Sequence, residues 1–155
     1  MLIIYILLLH IILVANNKTS RRRSRNATND VLLSLNLDGK TEYEKVYVIY
    51  EYVTMNVDYD FDAEVLETLS LPHSCYASII KKALCSGYSL LLYNMLLSVN
   101  IESRYITGHS GIEYHAWNIV KLDNLYYNLD STFDRDLFGY RTFEDCRNIR
   151  RFYIK

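Results

Sequence analysis

No two cysteines in this chain stand two to four residues apart, so the spacing that opens most structural zinc sites is missing. The three that occur are Cys75, Cys85 and Cys146. A zinc site drawing on Cys85, His109 and His115 is arithmetically allowed but matches no metal motif. The odd count leaves at least one thiol free unless the chain pairs with another, and a Cys75–Cys146 disulfide would suit an exported domain. The five glycines are scattered, with no phosphate-cradling loop among them. No acidic loop of calcium-binding pattern is visible, so neither metal nor organic cofactor is implied. Charge of one sign is also lacking. The net charge of -1 gives no reason to expect nucleic acid as a partner.

What the chain does have is apolar bulk, 50% against 23% charged, in 155 residues. That composition is globular and that length favours one domain with a sizeable core. Tyrosine is abundant at 15 residues, which reads as compositional bias with many rings half-buried.

Met1 to Ala15 is apolar apart from Tyr5 and His10. As a helix it would reach roughly 22 Å, short of the ~30 Å hydrocarbon core. That length suits a signal-peptide core. No Lys or Arg precedes it, however, and Arg21-Arg22-Arg23-Ser24-Arg25 follows, which tends to hold that flank in the cytoplasm. A secretory signal, an N-terminal membrane tether and a buried element all remain open. The first two place the protein outside the cell or on a membrane, and a cytoplasmic location is not excluded. Residues 1–30 are set apart as this segment plus a basic, solvated linker, with weaker attraction to anionic lipid as a second reading. Residues 31–155 form the domain.

Within the domain, Val31–Leu37 is a short apolar segment closed by the turn signal Asp38-Gly39. Val46, Ile49, Tyr50, Val53 and Val57 recur at helical spacing over Glu42–Val57. Asp58–Asp62 reads as a loop, and Ala63–Leu69 as a short helix stopped before Pro72. Leu84–Val99 is the clearest helix. Leu84, Tyr88, Leu91, Leu92, Met95 and Val99 make one stripe, while Leu90 and Leu97 add apolar surface elsewhere. A helix apolar nearly all round is expected to be central and buried. Asn100 ends it. The period then changes to strands at Arg104–Thr107, Tyr114–Lys121 and Leu125–Leu129, with Gly108–Gly111 a loop and Asp123-Asn124 a two-residue turn. Arg151–Ile154 is a candidate last strand. The fold class is α+β, with a buried central helix packed on an antiparallel sheet.

Cys85 falls at the start of that central helix. Free N–H groups and the positive end of the helix dipole there favour thiolate over thiol, which is the chemistry of a nucleophile. If Leu122 pairs with Leu125, Asp130 falls opposite Trp117 and His115 is its diagonal neighbour on the same face. One hairpin then brings a His and an Asp close to hydrogen-bond reach, and Cys-His-Asp is an acyl-transfer set.

These residues resemble the transglutaminase-like superfamily, whose members share a papain-like cysteine-hydrolase core. The resemblance rests on Cys85-Ser86-Gly87-Tyr88 opening the helix, a strand ending at Gly108, then His115-Ala116-Trp117-Asn118. It continues in Tyr126-Tyr127-Asn128-Leu129-Asp130-Ser131-Thr132-Phe133-Asp134. Asp58-Tyr59-Asp60 and Ser74-Cys75-Tyr76-Ala77 look like the family's upstream segments, so the match runs from about Glu42 to Asp134. Lys81 stands where members often carry glycine.

The resemblance implies Cys85 as nucleophile, His115 as general base and acid, and Asp130 as the group orienting His115. The bland alternatives are a small core cysteine, a satisfied core histidine and an aspartate capping a turn. The Cys85 backbone N–H is one oxyanion donor and the Tyr76 hydroxyl a candidate second. Trp117 is read as packing beside His115, and Asn118 as structural hydrogen bonding. The expected activity is acyl transfer on protein or peptide amides through a thioester, ending in hydrolysis or in cross-linking. The alternative is a non-catalytic domain of the same fold, acting as a scaffold or binding module at the cell surface.

Overall fold

The computed structural model describes residues 19, 22–62, 81–110 and 113–136. The apolar segment 1–15, the 63–69 helix, Cys75, Tyr76, Cys146 and the 151–154 strand lie outside the described residues.

Residues 22–34 are helical (α1), although the basic composition up to residue 30 suggests a solvated linker. Ser24 and Thr28, one turn apart, are buried, and the Thr28 hydroxyl donates to the Ser24 carbonyl. A charged helix face had concealed a packed one. Gly39 takes the left-handed conformation in the turn that follows (φ 74°), where a side chain would be strained.

The next helix, α2, runs Glu42–Asn56. Thr41 and Glu44 cap it reciprocally: the Glu44 amide donates to Thr41 Oγ1 at 3.2 Å and the Thr41 amide to Glu44 Oε2 at 2.8 Å. Such a cap is worth about 1 kcal/mol. The helical stripe read from sequence is the buried face, with Val46, Ile49, Tyr50 and Val53 at 0–1% exposure. Val57, just past the end, is buried with them.

Asp58–Tyr59, expected in a loop, is a two-residue strand, β1, lying parallel to β2, Lys82–Ala83. The Asp58 amide donates to the Lys81 carbonyl at 2.7 Å and the Asp60 amide to that of Ala83 at 3.1 Å. This short ladder fastens the approach to the central helix against the end of α2. Lys81 enters it in the left-handed region (φ 55°), a conformation that favours glycine and costs a side-chain residue roughly 1–2 kcal/mol.

The central helix, α3, spans Cys85–Ser98. Tyr88, Leu91, Leu92, Met95 and Leu96 are fully buried, while Leu97 stays exposed. The Tyr88 hydroxyl donates to the Val57 carbonyl, joining the first turn of α3 to the end of α2. Asn100, left-handed at φ 61°, ends the run as its sequence suggests.

Three antiparallel strands follow in the order β3-β4-β5: Ser103–Ser110, Glu113–Leu122 and Leu125–Leu129. β3 is longer than expected. Gly108, His109 and Ser110 pair with His115, Tyr114 and Glu113, so cross-strand bonding overrides the loop character of that stretch. Asp123 and Asn124 are both left-handed (φ 49° and 62°), the conformation a two-residue primed turn requires. Leu122 pairs with Leu125 and Asn118 with Leu129, the anticipated register. On β4, Ala116, Asn118 and Val120 are the buried alternate positions. The Asn118 side-chain amide donates to the Ser89 carbonyl at 3.0 Å, tying β4 to α3 one turn beyond Cys85. A four-residue helix, α4 (Phe133–Asp136), closes the described chain. Among the described residues no helix is long and apolar enough to cross a membrane. The architecture is α+β, a buried helix on an antiparallel sheet.

Candidate active site

Cys85 is the first residue of α3, half-buried and free of any disulfide. The residue before it, Leu84, is extended (φ -82°, ψ 175°) and supplies no capping side chain. Ser, Thr, Asp or Asn at that position would stabilise a helix by about 1 kcal/mol, so an apolar residue leaves the first turn underused as a helix and open as a donor site. The Gly87 and Tyr88 amides bond the Leu84 carbonyl at 2.9 and 3.2 Å. Among the described residues none accepts from the Cys85 amide.

His115 and Asp130 meet as the register requires. His115 Nε2 donates to Asp130 Oδ2 at 2.8 Å, and the two residues are 7% and 6% exposed. The other oxygen, Oδ1, accepts from the Phe133 amide at 3.1 Å, and the Asp134 amide reaches the Asp130 carbonyl at 3.2 Å. Both readings of Asp130, turn cap and histidine partner, are therefore realised, one carboxylate oxygen each. With Nε2 engaged, Nδ1 is the nitrogen left for Cys85, whose sulfur interacts with the ring.

Burial alone would lower the proton affinity of His115. The hydrogen bond to Asp130, the one to Cys85 and the charges of both outweigh it and lift the pKa to about 9. The shift favours the imidazolium, the form a thiolate would pair with.

Trp117 lies beside His115. Its ring is nearly parallel to that of His115 (13°) at 6.3 Å between centroids. Its indole N–H donates to Asn128 Oδ1 at 3.0 Å, so that donor is turned toward β5. A Cβ on Gly108 would sit 2.9 Å from the Trp117 ring, which explains why β3 carries glycine directly across from His115. Asn118 is structural, through its bond to Ser89. Tyr76 lies outside the described residues.

Two further aromatic residues belong to the surroundings of the site. Phe133 stacks on His115 at 4.4 Å and 19°. Tyr105 of β3 has its phenol pushed up by burial, with smaller contributions from the charges of Cys85 and Tyr114. The Phe133 signal was available in the Asp-x-Thr-x-Asp segment, where it is the aromatic between the aspartates. Tyr105 had none, because in a chain of 15 tyrosines one more carries little information. No cluster of three metal-ligating side chains occurs among the described residues.

The chain belongs to the transglutaminase-like superfamily, whose core model matches residues 33–131. Among solved structures it is similar to a TGase, with a TM-score of 0.65 and 18% identity over 82% of this chain and 36% of that one. It is also similar to a protein described as a candidate cysteine protease from Cytophaga hutchinsonii. That match has a TM-score of 0.56 and 18% identity over 70% of this chain and 37% of that one. The chain therefore spans little more than a third of either structure's length, and the likeness establishes the fold. No curated protein matches it.

Proposed function

We propose that Cys85, His115 and Asp130 form a catalytic triad for acyl transfer on protein or peptide amides. The observation that carries this reading is the buried His115–Asp130 pair, whose free ring nitrogen is left to the sulfur of a helix-initial cysteine. The Cys85 thiolate attacks the amide carbonyl, forming a C–S bond and placing negative charge on the oxygen. The Cys85 amide, uncapped at the helix start, donates to that oxygen. The His115 imidazolium passes its proton to the departing amine as the C–N bond breaks, leaving a thioester and a neutral ring. His115 then takes a proton from water or from a second amine, whose attack releases acid or a new amide and restores the thiolate. Asp130 holds the ring's orientation throughout and offsets its charge.

Family membership supports an enzyme acting at carbonyl carbon, and the two similar structures include one of each outcome. Water and amine share the first half-reaction. The test is to follow peptide hydrolysis and labelled-amine incorporation side by side, with Cys85→Ala as control. Both activities should fall at least about 10⁴-fold in that variant. Activity persisting in folded Cys85→Ala protein would refute Cys85 as the nucleophile, and absence of both activities from the parent protein would leave the fold as a binding or scaffold module.

A further inference from the structure

A four-residue helix cannot hold its own shape in water, because nucleation alone costs more than so few hydrogen bonds return. The placement of α4 is therefore set by what fastens it. One fastening is Asp130 Oδ1, which accepts from the Phe133 amide at 3.1 Å. The Asp134 amide also reaches the Asp130 carbonyl at 3.2 Å, and a further fastening comes from far along the chain: the hydroxyl of Tyr50, buried in α2, donates to Asp134 Oδ2. Asp134 is only 6% exposed and Tyr50 1%, so this bond is shielded from water and strong for a single contact. Held by these bonds is Phe133, whose ring is stacked on the His115 imidazole at 4.4 Å and 19°.

The geometry points to Phe133, clamped by Tyr50 and Asp134, as a positioning residue for His115. This inference rests on the triad reading above. The imidazole has one soft torsion that turns Nε2 away from Asp130 and Nδ1 away from Cys85. A ring packed flat on its face blocks that rotation and excludes water from the His115–Asp130 bond. An aromatic face also favours the charged imidazolium over the neutral ring. The Tyr50–Asp134 bond acts only by keeping Phe133 in place and touches no reacting atom.

The test uses the full chain and reads iodoacetamide labelling at Cys85 by peptide mapping, as the ratio of rates at pH ~6.5 and ~10, since at the upper value a thiol is ionised without help. Phe133→Leu keeps the bulk but loses the flat ring, and should lower the ratio roughly fivefold, the scale of one aromatic contact. Phe133→Tyr should stay within about twofold of the parent, and Tyr50→Phe should fall by roughly two- to threefold. A folded Phe133→Leu protein with the parent ratio overturns the inference. If Phe133→Leu does not fold, Tyr50→Phe decides, and a parent ratio there overturns it equally. His115→Ala separates the two levels. A lowered ratio in His115→Ala with none in Phe133→Leu removes the clamp alone. A parent ratio in His115→Ala removes the triad reading and the clamp with it.

Discussion

His115 and Asp130 lie fifteen residues apart on one hairpin, whereas Cys85 arrives from a separate helix. The two sides are built differently. The hairpin side is closely packed: Trp117 fits over Gly108, Phe133 covers the imidazole, and each Asp130 oxygen has a partner. The helix side is loosely specified: Lys81 holds a strained backbone and Leu84 caps nothing. The difference fits a division of labour in which the base needs a fixed orientation and the nucleophile needs open amides beside it.

The largest break in that contrast should come from Asp130→Asn. It keeps an oxygen for the Phe133 amide but removes the charge from the histidine bond, and acyl transfer should drop roughly 10³-fold or more, with the melting temperature little moved only once pH exceeds about 9, where the charged pair no longer contributes. Steady-state rates beside a thermal melt separate the two effects; an equal loss of stability would make Asp130 chiefly a cap.

Packing on the hairpin side is tested by Gly108→Ala. The added methyl meets the Trp117 ring at 2.9 Å, so the ring or strand must shift. Urea titration should show a loss of roughly 1–3 kcal/mol. A change within experimental error would mean that Trp117 moves freely, and that the packing is looser than its geometry implies.

The electrostatic part of the contrast is a matter of pH. The pKa of His115 is raised from 6.5 to about 9, so the folded state holds this proton more tightly than the unfolded chain does. The resulting stability is fully present below pH ~6.5 and is lost as pH rises through about 9. Unfolding midpoints measured across that window should fall with pH, and the fall should shrink in Asp130→Asn, which lacks the charge that raises the pKa. A flat profile in the parent protein would count against the buried charged pair.

The smallest effect lies on the helix side. Lys81→Gly relieves the left-handed strain but adds freedom to the unfolded chain, so stability should rise by at most about 1 kcal/mol. Acyl-transfer rates should hold. A clear loss of activity would show that the Lys81 side chain, and not its backbone shape, serves the site.

The His–Asp geometry was legible in the sequence because it is local. Asp123-Asn124 defines the turn, the turn defines the register, and the register places residue 130 diagonal to residue 115. The central helix was legible through its apolar periodicity, as was the buried stripe of α2. Other features depend on contacts across the chain. The parallel pairing of Asp58–Tyr59 with Lys82–Ala83 spans too few residues to leave a pattern. The extension of β3 through Gly108–Ser110 runs against local propensity and exists because β4 supplies partners. The packing of Ser24 and Thr28 was masked by arginines around them, and the Tyr50–Asp134 bond joins residues 84 positions apart.

The left-handed turn at Asp123-Asn124 also bears on the order in which the site is assembled. Bringing β4 to β5 closes a loop of two residues, while bringing β1 to β2 closes one of twenty-two. By polymer statistics the shorter closure is favoured by on the order of 2 kcal/mol of chain entropy. Contacts of short sequence separation also form sooner than distant ones. The imidazole and carboxylate are thus brought into register by a two-residue closure, as short as the one joining β3 to β4 and far shorter than the one between β1 and β2. Cys85 stands thirty positions before His115, so the thiol meets its base across a longer closure than the one that joins base and carboxylate.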